Sequence, residues 1–390
     1  MKNILIISNC PPIGQYGGDI RIFNMIKGLS KNNKVTLLSL RKKNQAEDLS
    51  KLKEFCEVVI APSFAGEFLK ESYFSFIKIV FIKIFFQILE WLNLAPSLIT
   101  IHRAQVYFLK RQLKKILVLR NFDIIQAEQS YLGNVLKDVK TASAKKIIDF
   151  IDVNHGKIGN IASQKLMLIY EKKLAKVYET ALVCSEIEGE RIKNFGFKDI
   201  IIVPNGVNTK YFNLSDKNVR KRNLVFIGSL DYYPNKEGIE HFFKNIYPIL
   251  SGNINIDIIG RYNQKDFQQE KKCKNVTFHS FKEDIRDYLQ GSIFFCPIIS
   301  GGGTRLKILT AFASGCPVVS TSKGAEGIKY LENKDIFIAN TPEIFKEKIE
   351  ILLSNPEIYN KISKNSRKTS LSYDWDVILN KYCQDLDTLF

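Results

Sequence analysis

Ser300-Gly301-Gly302-Gly303-Thr304-Arg305-Leu306-Lys307-Ile308-Leu309-Thr310-Ala311 is the stretch on which the reading of this chain turns. It follows the short apolar run Ile293–Cys296 and opens a segment that reads as a helix. A buried strand, a glycine turn and a helix in that order form one unit of a doubly wound parallel sheet, with the turn at the carboxyl end of the strand, where such sheets bind ligands. Glycines lack side chains, so a ligand can come close to the backbone. A helix start offers unpaired N–H groups and the positive end of its dipole. The turn therefore reads as an anion site, for phosphate or diphosphate. The plain alternative is a tight turn with Arg305 and Lys307 in solvent. The following residues, Phe312-Ala313-Ser314-Gly315-Cys316-Pro317-Val318-Val319-Ser320-Thr321, read as the rest of the helix, a glycine stop and the next strand.

The same alternation runs along the whole chain. Apolar runs at 3–8, 34–40, 58–61, 122–127, 146–151 and 181–185 predict a first series of strands, with helices such as 19–30 and 161–178 between them. Runs that are apolar on both faces suit a covered parallel sheet. A second series is predicted at 223–228, 254–259, 276–279, 293–296, 318–320 and 336–338, with a helix at 239–250. Turn residues and charge crowd the segment from Val203-Pro204-Asn205-Gly206-Val207-Asn208 to Arg222. The domain boundary is expected there. The expected domains are 1–205 and 206–372, followed by an amphipathic helix in 373–390 that folds back towards the first.

A length of 390 residues suits two such domains, and 45% hydrophobic with 25% charged residues suits a folded globular chain. A formal net charge of +17 predicts an anionic partner: a membrane surface, a nucleic acid or a phosphorylated substrate. The seven cysteines are scattered and contain no C-x-x-C pair. That argues against a disulfide framework or a zinc site and for a reducing cytoplasm. Met1–Ser8 reads directly as a strand, without the cleavage pattern of a secretory leader. No nucleic-acid-reading motif accompanies the charge.

Other turns carry further candidates. Gly17-Gly18-Asp19-Ile20-Arg21 follows the first strand but is not G-x-G-x-x-G, which argues against a dinucleotide site. Asp19 is read either as a helix N-cap or as a contact to a substrate hydroxyl. Gly228-Ser229-Leu230-Asp231-Tyr232-Tyr233-Pro234-Asn235-Lys236 follows the first strand of the second series. Lys236 either adds positive charge near a diphosphate or is a solvated loop lysine. Asp149, Asp152 and His155 cluster at the end of the strand 146–151. They either mount polar chemistry or, for Asp152 and His155, cap the next helix.

One region departs from the pattern. Tyr73–Phe86 is almost wholly apolar, with lysines at 78 and 83, and basic residues without acids follow from His102 to Arg120. A spanning helix needs about 20 apolar residues, and these lysines interrupt the run. A membrane-facing segment near 64–120 is expected, lying at an anionic surface with its lysines snorkelling. The alternative is a buried helix pair of the first domain.

Gly17–Arg21, the Val203–Asn208 segment, Gly228–Asp231 with Pro234-Asn235, and Gly301–Lys307 with Gly315–Thr321 together resemble a retaining glycosyltransferase of family 4. The resemblance covers nearly the whole chain. It is similar in particular to sugar transferases of bacterial surface-polysaccharide and lipopolysaccharide assembly, which carry a Gly-Gly-Gly-Thr-Arg-Leu-Lys run. The resemblance implies the GT-B fold: α/β, with two Rossmann-like doubly wound parallel-sheet domains facing a cleft. The first would bind the acceptor and the second the nucleotide sugar. It implies a UDP- or GDP-linked donor, a lipid-linked or glycan acceptor, no metal and no cofactor. The expected location is cytoplasmic, peripheral on the inner face of the cell membrane, with no nucleic-acid partner.

Carried over by position, Gly301, Gly302, Gly303, Thr304 and Arg305 would cradle the donor diphosphate, with Lys307 or Lys236 assisting. Gly18, Gly228 and Ser229 would line the same donor. Ser280 and Phe281, within His279–Lys282, stand where the family holds the base. Asp19, Asp152, His155 and Arg305 would form the catalytic set. The family usually has two glutamates separated by seven residues; here those positions are Gly302 and Thr310. The second glutamate typically holds the donor ribose. Thr310 cannot accept two hydrogen bonds with a full charge, a loss of about 1.5–3 kcal/mol. That departure carries the alternative of a degenerate, non-catalytic partner of another transferase.

Overall fold

The computed structural model of the chain describes residues 1–13, 17–40, 49–62, 97–155, 161–213, 221, 223–252 and 254–390, with the backbone course alone for 97–104. The predicted membrane-facing run Tyr73–Phe86 lies outside the described residues. No helix among them is long and apolar enough to cross a membrane.

The chain forms two units. The first is Met1–Pro204 with Leu379–Phe390, and the second is Asn205–Ile378. The first holds seven strands: β1 (Asn3–Ser8), β2 (Lys34–Leu40), β3 (Glu57–Ala61), β4 (Ile124–Glu128), β5 (Lys145–Asp149), β6 (Thr180–Val183) and β7 (Asp199–Ile202). They lie in the order β3-β2-β1-β4-β5-β6-β7. Each pair is parallel, for example Ile4 beside Val35 on one side and beside Ile124 on the other. The second unit holds β8 (Asn223–Ile227), β9 (Asn255–Ile259), β10 (Val276–His279), β11 (Ile293–Cys296), β12 (Val318–Ser320) and β13 (Phe337–Ile338). Their order is β10-β9-β8-β11-β12-β13, again all parallel.

The central strands form because their side chains are buried on both faces. Ile4 to Ile7 and Ile293 to Cys296 are all at most 1% exposed, and helices cover both sheet faces, as parallel sheets require. In both units the strand order reverses direction once, between β1 and β4 and between β8 and β11. That switch point opens a crevice at the carboxyl ends of the strands.

Two elements differ from the sequence reading. β7 was not expected. Asp-Ile-Ile-Ile is a short, half-buried edge strand running directly into the Pro204 turn, and its apolar run is too brief to stand out beside the linker that follows. The helix expected at 239–250 begins earlier, at Tyr233 with Pro234 in its first turn, and ends at His241. A wider turn, Phe242–Ile246, and a tight one, Tyr247–Ile249, follow. Pro248 cannot donate to the helix ladder, which accounts for the break.

The helix Ser97–Leu119 buries Phe108, Leu109, Leu113 and Ile116 in the core of the first unit. Lys114 and Lys115 stay exposed. The last helix is Trp375–Asp387. In the second unit, Trp375 packs where a side chain on Gly206 would collide. In the first, Tyr382 donates from its hydroxyl to Gln126 Oε1 at 2.6 Å.

Candidate functional site

In the second unit, the turns after β8 and β11 flank the switch point. Gly301 and Gly303 have φ of +82° and +84°, which glycine alone adopts without strain. A Cβ on Gly301 would also stand 2.8 Å from Pro234 Cγ. The helix Leu306–Ala313 starts directly after Arg305. Arg305 is 6% exposed. Its guanidinium folds back on the turn, donating from Nη1 to the Gly302 carbonyl and from Nη2 to the Ser300 carbonyl, both at 3.0 Å. Its Nε and the hydroxyl of Thr304 are buried without a hydrogen-bond partner.

Lys307 reaches the same place from the helix. Its ammonium donates to Asn235 Oδ1 at 2.6 Å and lies 4.3 Å from the centre of the Phe226 ring. A Cβ on Gly228 would fall 2.6 Å from that ammonium, so Gly228 leaves the room it occupies. Burial pushes the lysine pKa down to about 8, with Arg305 acting in the same direction and the Cys296 thiol opposing. Neither Arg305 nor Lys307 has a carboxylate ion pair among the described residues. Two adjoining cations held by carbonyls and an amide oxygen are suited to receive an anion.

Asn235 is the residue that sequence reasoning passed over here. It is 6% exposed, accepts from Lys307 and donates from Nδ2 to the Ser229 carbonyl at 2.7 Å. It thereby ties the Gly228-Ser229 turn to the glycine helix. Its signal was the Pro234-Asn235 pair at a helix start.

The other second-unit candidates are placed differently. Lys236 forms an ion pair with Asp266 at 2.9 Å, so its charge is already answered. Ser280 is exposed, and Phe281 is half exposed with the Arg261 guanidinium 5.8 Å from its ring centre. Both follow β10, two strands from the switch point. His279 is held by Asp257 at 2.7 Å. Thr310 donates to the Leu306 carbonyl at 3.0 Å, within its own helix.

In the first unit, Gly18 and Asp19 lie in the first turn of the helix Gly17–Leu29, so Asp19 sits inside the helix and not at its cap. A Cβ on Gly18 would approach Gln129 Nε2, from the end of β4, to 3.7 Å. Arg21 is fully buried and paired with Asp149 at 2.8 Å; it also donates to the Val203 carbonyl at 2.7 Å. Burial opposes its charge, but Asp149, Cys184 and Glu128 together outweigh this and raise its pKa. Burial and the nearby Asp149 hold the Glu128 carboxyl well above the usual carboxylate range.

Beyond β5 the chain turns sharply. Ile151 has φ of +54°, a strained state for a β-branched residue. It is held by its N–H bond to Asp149 Oδ1 at 2.9 Å and by the Cys184 thiol on its carbonyl. Asp152 and His155 follow. His155 Nδ1 stands 2.6 Å from Glu171 Oε2. Glu171 is fully buried and was not singled out from the sequence, because it lies in the last turn of the helix Ile161–Leu174 and only tertiary packing brings it to His155.

Comparison with known proteins follows this geometry. Residues 221–355 match the family described as Glycosyl transferases group 1. An uncharacterised 44.6 kDa protein of the cps region of Klebsiella pneumoniae is 22% identical over 380 residues, covering 89% of this chain and 90% of that one. Among solved structures, sucrose-phosphate synthase from Thermosynechococcus elongatus superposes with a TM-score of 0.74 at 15% identity, over 100% of this chain and 99% of that one. Anabaena HepE in complex with UDP-glucose gives 0.72 at 12% identity, over 100% of both chains. These likenesses support a glycosyltransferase. The chain has the GT-B fold, and the match to group 1 glycosyl transferases falls on the unit that carries the glycine turn, Arg305 and Lys307.

Proposed function

We propose that this chain is a retaining glycosyltransferase of family 4. It would move a sugar from a UDP- or GDP-linked donor to a lipid-linked or glycan acceptor during cell-surface polysaccharide assembly. The observation that carries the reading is the pair Arg305 and Lys307, two adjoining cations with no carboxylate partner among the described residues, beside a glycine turn at a switch point. They suit the diphosphate of a nucleotide sugar. UDP-glucose in HepE and the cps-region relative from Klebsiella support the same donor and pathway class.

The chemistry proposed is departure of the nucleoside diphosphate with attack from the same face. Charge builds on the leaving diphosphate, and preorganised cations and helix amides lower the barrier. Arg305 holds the turn in shape, Lys307 supplies the positive charge, and no metal ion is required. Gly18, Asp19, Asp152 and His155 belong to the acceptor and sugar side. The net charge of +17 suits a peripheral position on an anionic membrane face.

Incubation with UDP-, GDP- and ADP-sugars tests the reading. Slow hydrolysis or transfer from at least one is expected, and indifference to all of them would overturn it. The second reading, a non-catalytic partner, rests on Thr310, whose hydroxyl is spent on its own helix. Binding of a nucleotide sugar without any turnover would favour it.

A further inference from the structure

Glu171 is fully buried, yet no lysine or arginine among the described residues pairs with it. Its two oxygens are instead ringed by donors from the loop after β5 and the turn after β4. Oε1 accepts from the Ser130 hydroxyl at 3.1 Å and from the Asn154 N–H at 2.9 Å. Oε2 accepts from the His155 N–H at 3.2 Å and faces His155 Nδ1 at 2.6 Å. An ionised carboxylate only accepts, so a ring nitrogen at that distance must carry the hydrogen.

The rest of the loop is pinned around the same carboxylate. Asn154 donates from Nδ2 to the Ser130 hydroxyl at 3.0 Å and to the Asp152 carbonyl at 3.1 Å. The Phe195 ring lies 5.4 Å from the imidazole. The strained Ile151 turn at the start of the loop is itself held by Asp149 and Cys184. The imidazole is thus fixed by its backbone, by one ring nitrogen and by one ring face. Among the described residues none bonds Nε2, and the side chain keeps 18% of its surface open.

We infer that Glu171 is the positioning residue for His155: it holds the Nδ1–H tautomer and turns an unprotonated Nε2 outward as the acceptor for a hydroxyl of the sugar substrate. A mobile histidine could present either N–H or lone pair; this one presents the lone pair. The step is a hydrogen bond and no proton changes place. The choice of a sugar hydroxyl as the ligand rests on the glycosyltransferase reading above; the tautomer does not.

The test is imidazole nitrogen NMR on full-length protein labelled with nitrogen-15 histidine. The chain has four histidines, and the signal lost in His155→Asn identifies the one in question. The expected spectrum has Nδ1 protonated and Nε2 bare. Glu171→Gln, which turns an amide N–H₂ towards the ring, should reverse this. It should also lower kcat at least tenfold for whichever of UDP-, GDP- or ADP-glucose the wild type turns over, with KM within twofold. A protonated Nε2 in the wild type overturns the inference, as does a reversed tautomer with unchanged kcat. If Glu171→Gln fails to fold, the wild-type spectrum and the kcat of His155→Asn decide: a bare Nε2 and a tenfold loss uphold the inference, and either result reversed overturns it. A protein with the expected tautomer that turns over none of the three sugars defeats the glycosyltransferase reading and the sugar ligand with it, while the role of Glu171 in setting the tautomer stands.

Discussion

Each unit buries an arginine near the place where its strand order reverses, and the two are answered differently. Arg21 meets Asp149, with both side chains fully buried, and its Nη1 donates to the Val203 and Pro204 carbonyls. Among the described residues, Arg305 meets the carbonyls of its own turn, and Lys307 beside it meets Asn235 and the Phe226 ring, with no carboxylate on either. A cation matched by a buried carboxylate is part of the architecture. Cations matched only by dipoles leave a positive field for something brought from outside. The contrast supports a folding role for the first unit's arginine and, on the proposed function, a ligand role for the second unit's cations.

The largest expected effect breaks the first half of the contrast. Arg21→Met leaves Asp149 buried and uncompensated and should cost about 3–5 kcal/mol of stability. Denaturant unfolding measures it. A loss confined to nucleotide binding would move Arg21 into the ligand site and remove the distinction.

Lys307→Met tests the second half. Losing a charged hydrogen bond of about 1.5–3 kcal/mol should weaken binding of the nucleoside diphosphate roughly tenfold to a hundredfold. Stability should hold or rise, because a cation with no counter-ion leaves a partly buried position. The same lysine sets a pH dependence. Its pKa in the free protein is about 8. Above that value the free lysine is neutral and must take up a proton to add its charge to the bound anion, so affinity should fall from pH 7 to pH 9 in the wild type and stay level in Lys307→Met. Calorimetric titration across that range reads both.

Thr310→Glu sharpens the donor assignment. A carboxylate at this helix position should tighten nucleotide-sugar binding up to about tenfold through the ribose hydroxyls. Unchanged affinity would mean that the position does not serve the ribose.

A smaller effect belongs to Glu128. Its carboxyl is held above the usual range, chiefly by burial, so folding takes up a proton there. Stability should decline as pH rises from the ordinary carboxylate range through the raised value. Glu128→Gln has no proton to lose, and its melting temperature should vary less across that window. The smallest effect is expected at Lys236, partly exposed and paired with Asp266. Lys236→Ala should leave nucleotide affinity unchanged.

Much of this was legible in the chain before any coordinates. Strands such as Lys34–Leu40 and Ile293–Cys296 stand where the apolar runs placed them, because burial on both faces leaves a continuous pattern. The glycine turn was legible for a similar local reason: consecutive glycines after a strand have few other uses. What pattern could not reveal was pairing across sequence distance. Glu171 is sixteen residues from His155 on a helix whose other positions are mixed. Asp266, which takes up Lys236, is thirty residues away from it in sequence, about as far as Ser229 is from Ile259. Asn235 looked like a turn residue because its two partners lie on different elements. The pattern located the elements, and the packing decided which charges were left over.

The central claim is that the leftover cations await a diphosphate. Its most direct test is the thermal stability of the wild type and Lys307→Met with UDP, GDP and ADP, each beside its nucleoside. A ligand that binds only the folded state raises the melting temperature. One diphosphate should raise that of the wild type, its nucleoside should raise it far less, and Lys307→Met should lose most of the difference. Equal stabilisation by nucleoside and diphosphate, or a full response in Lys307→Met, would contradict the account.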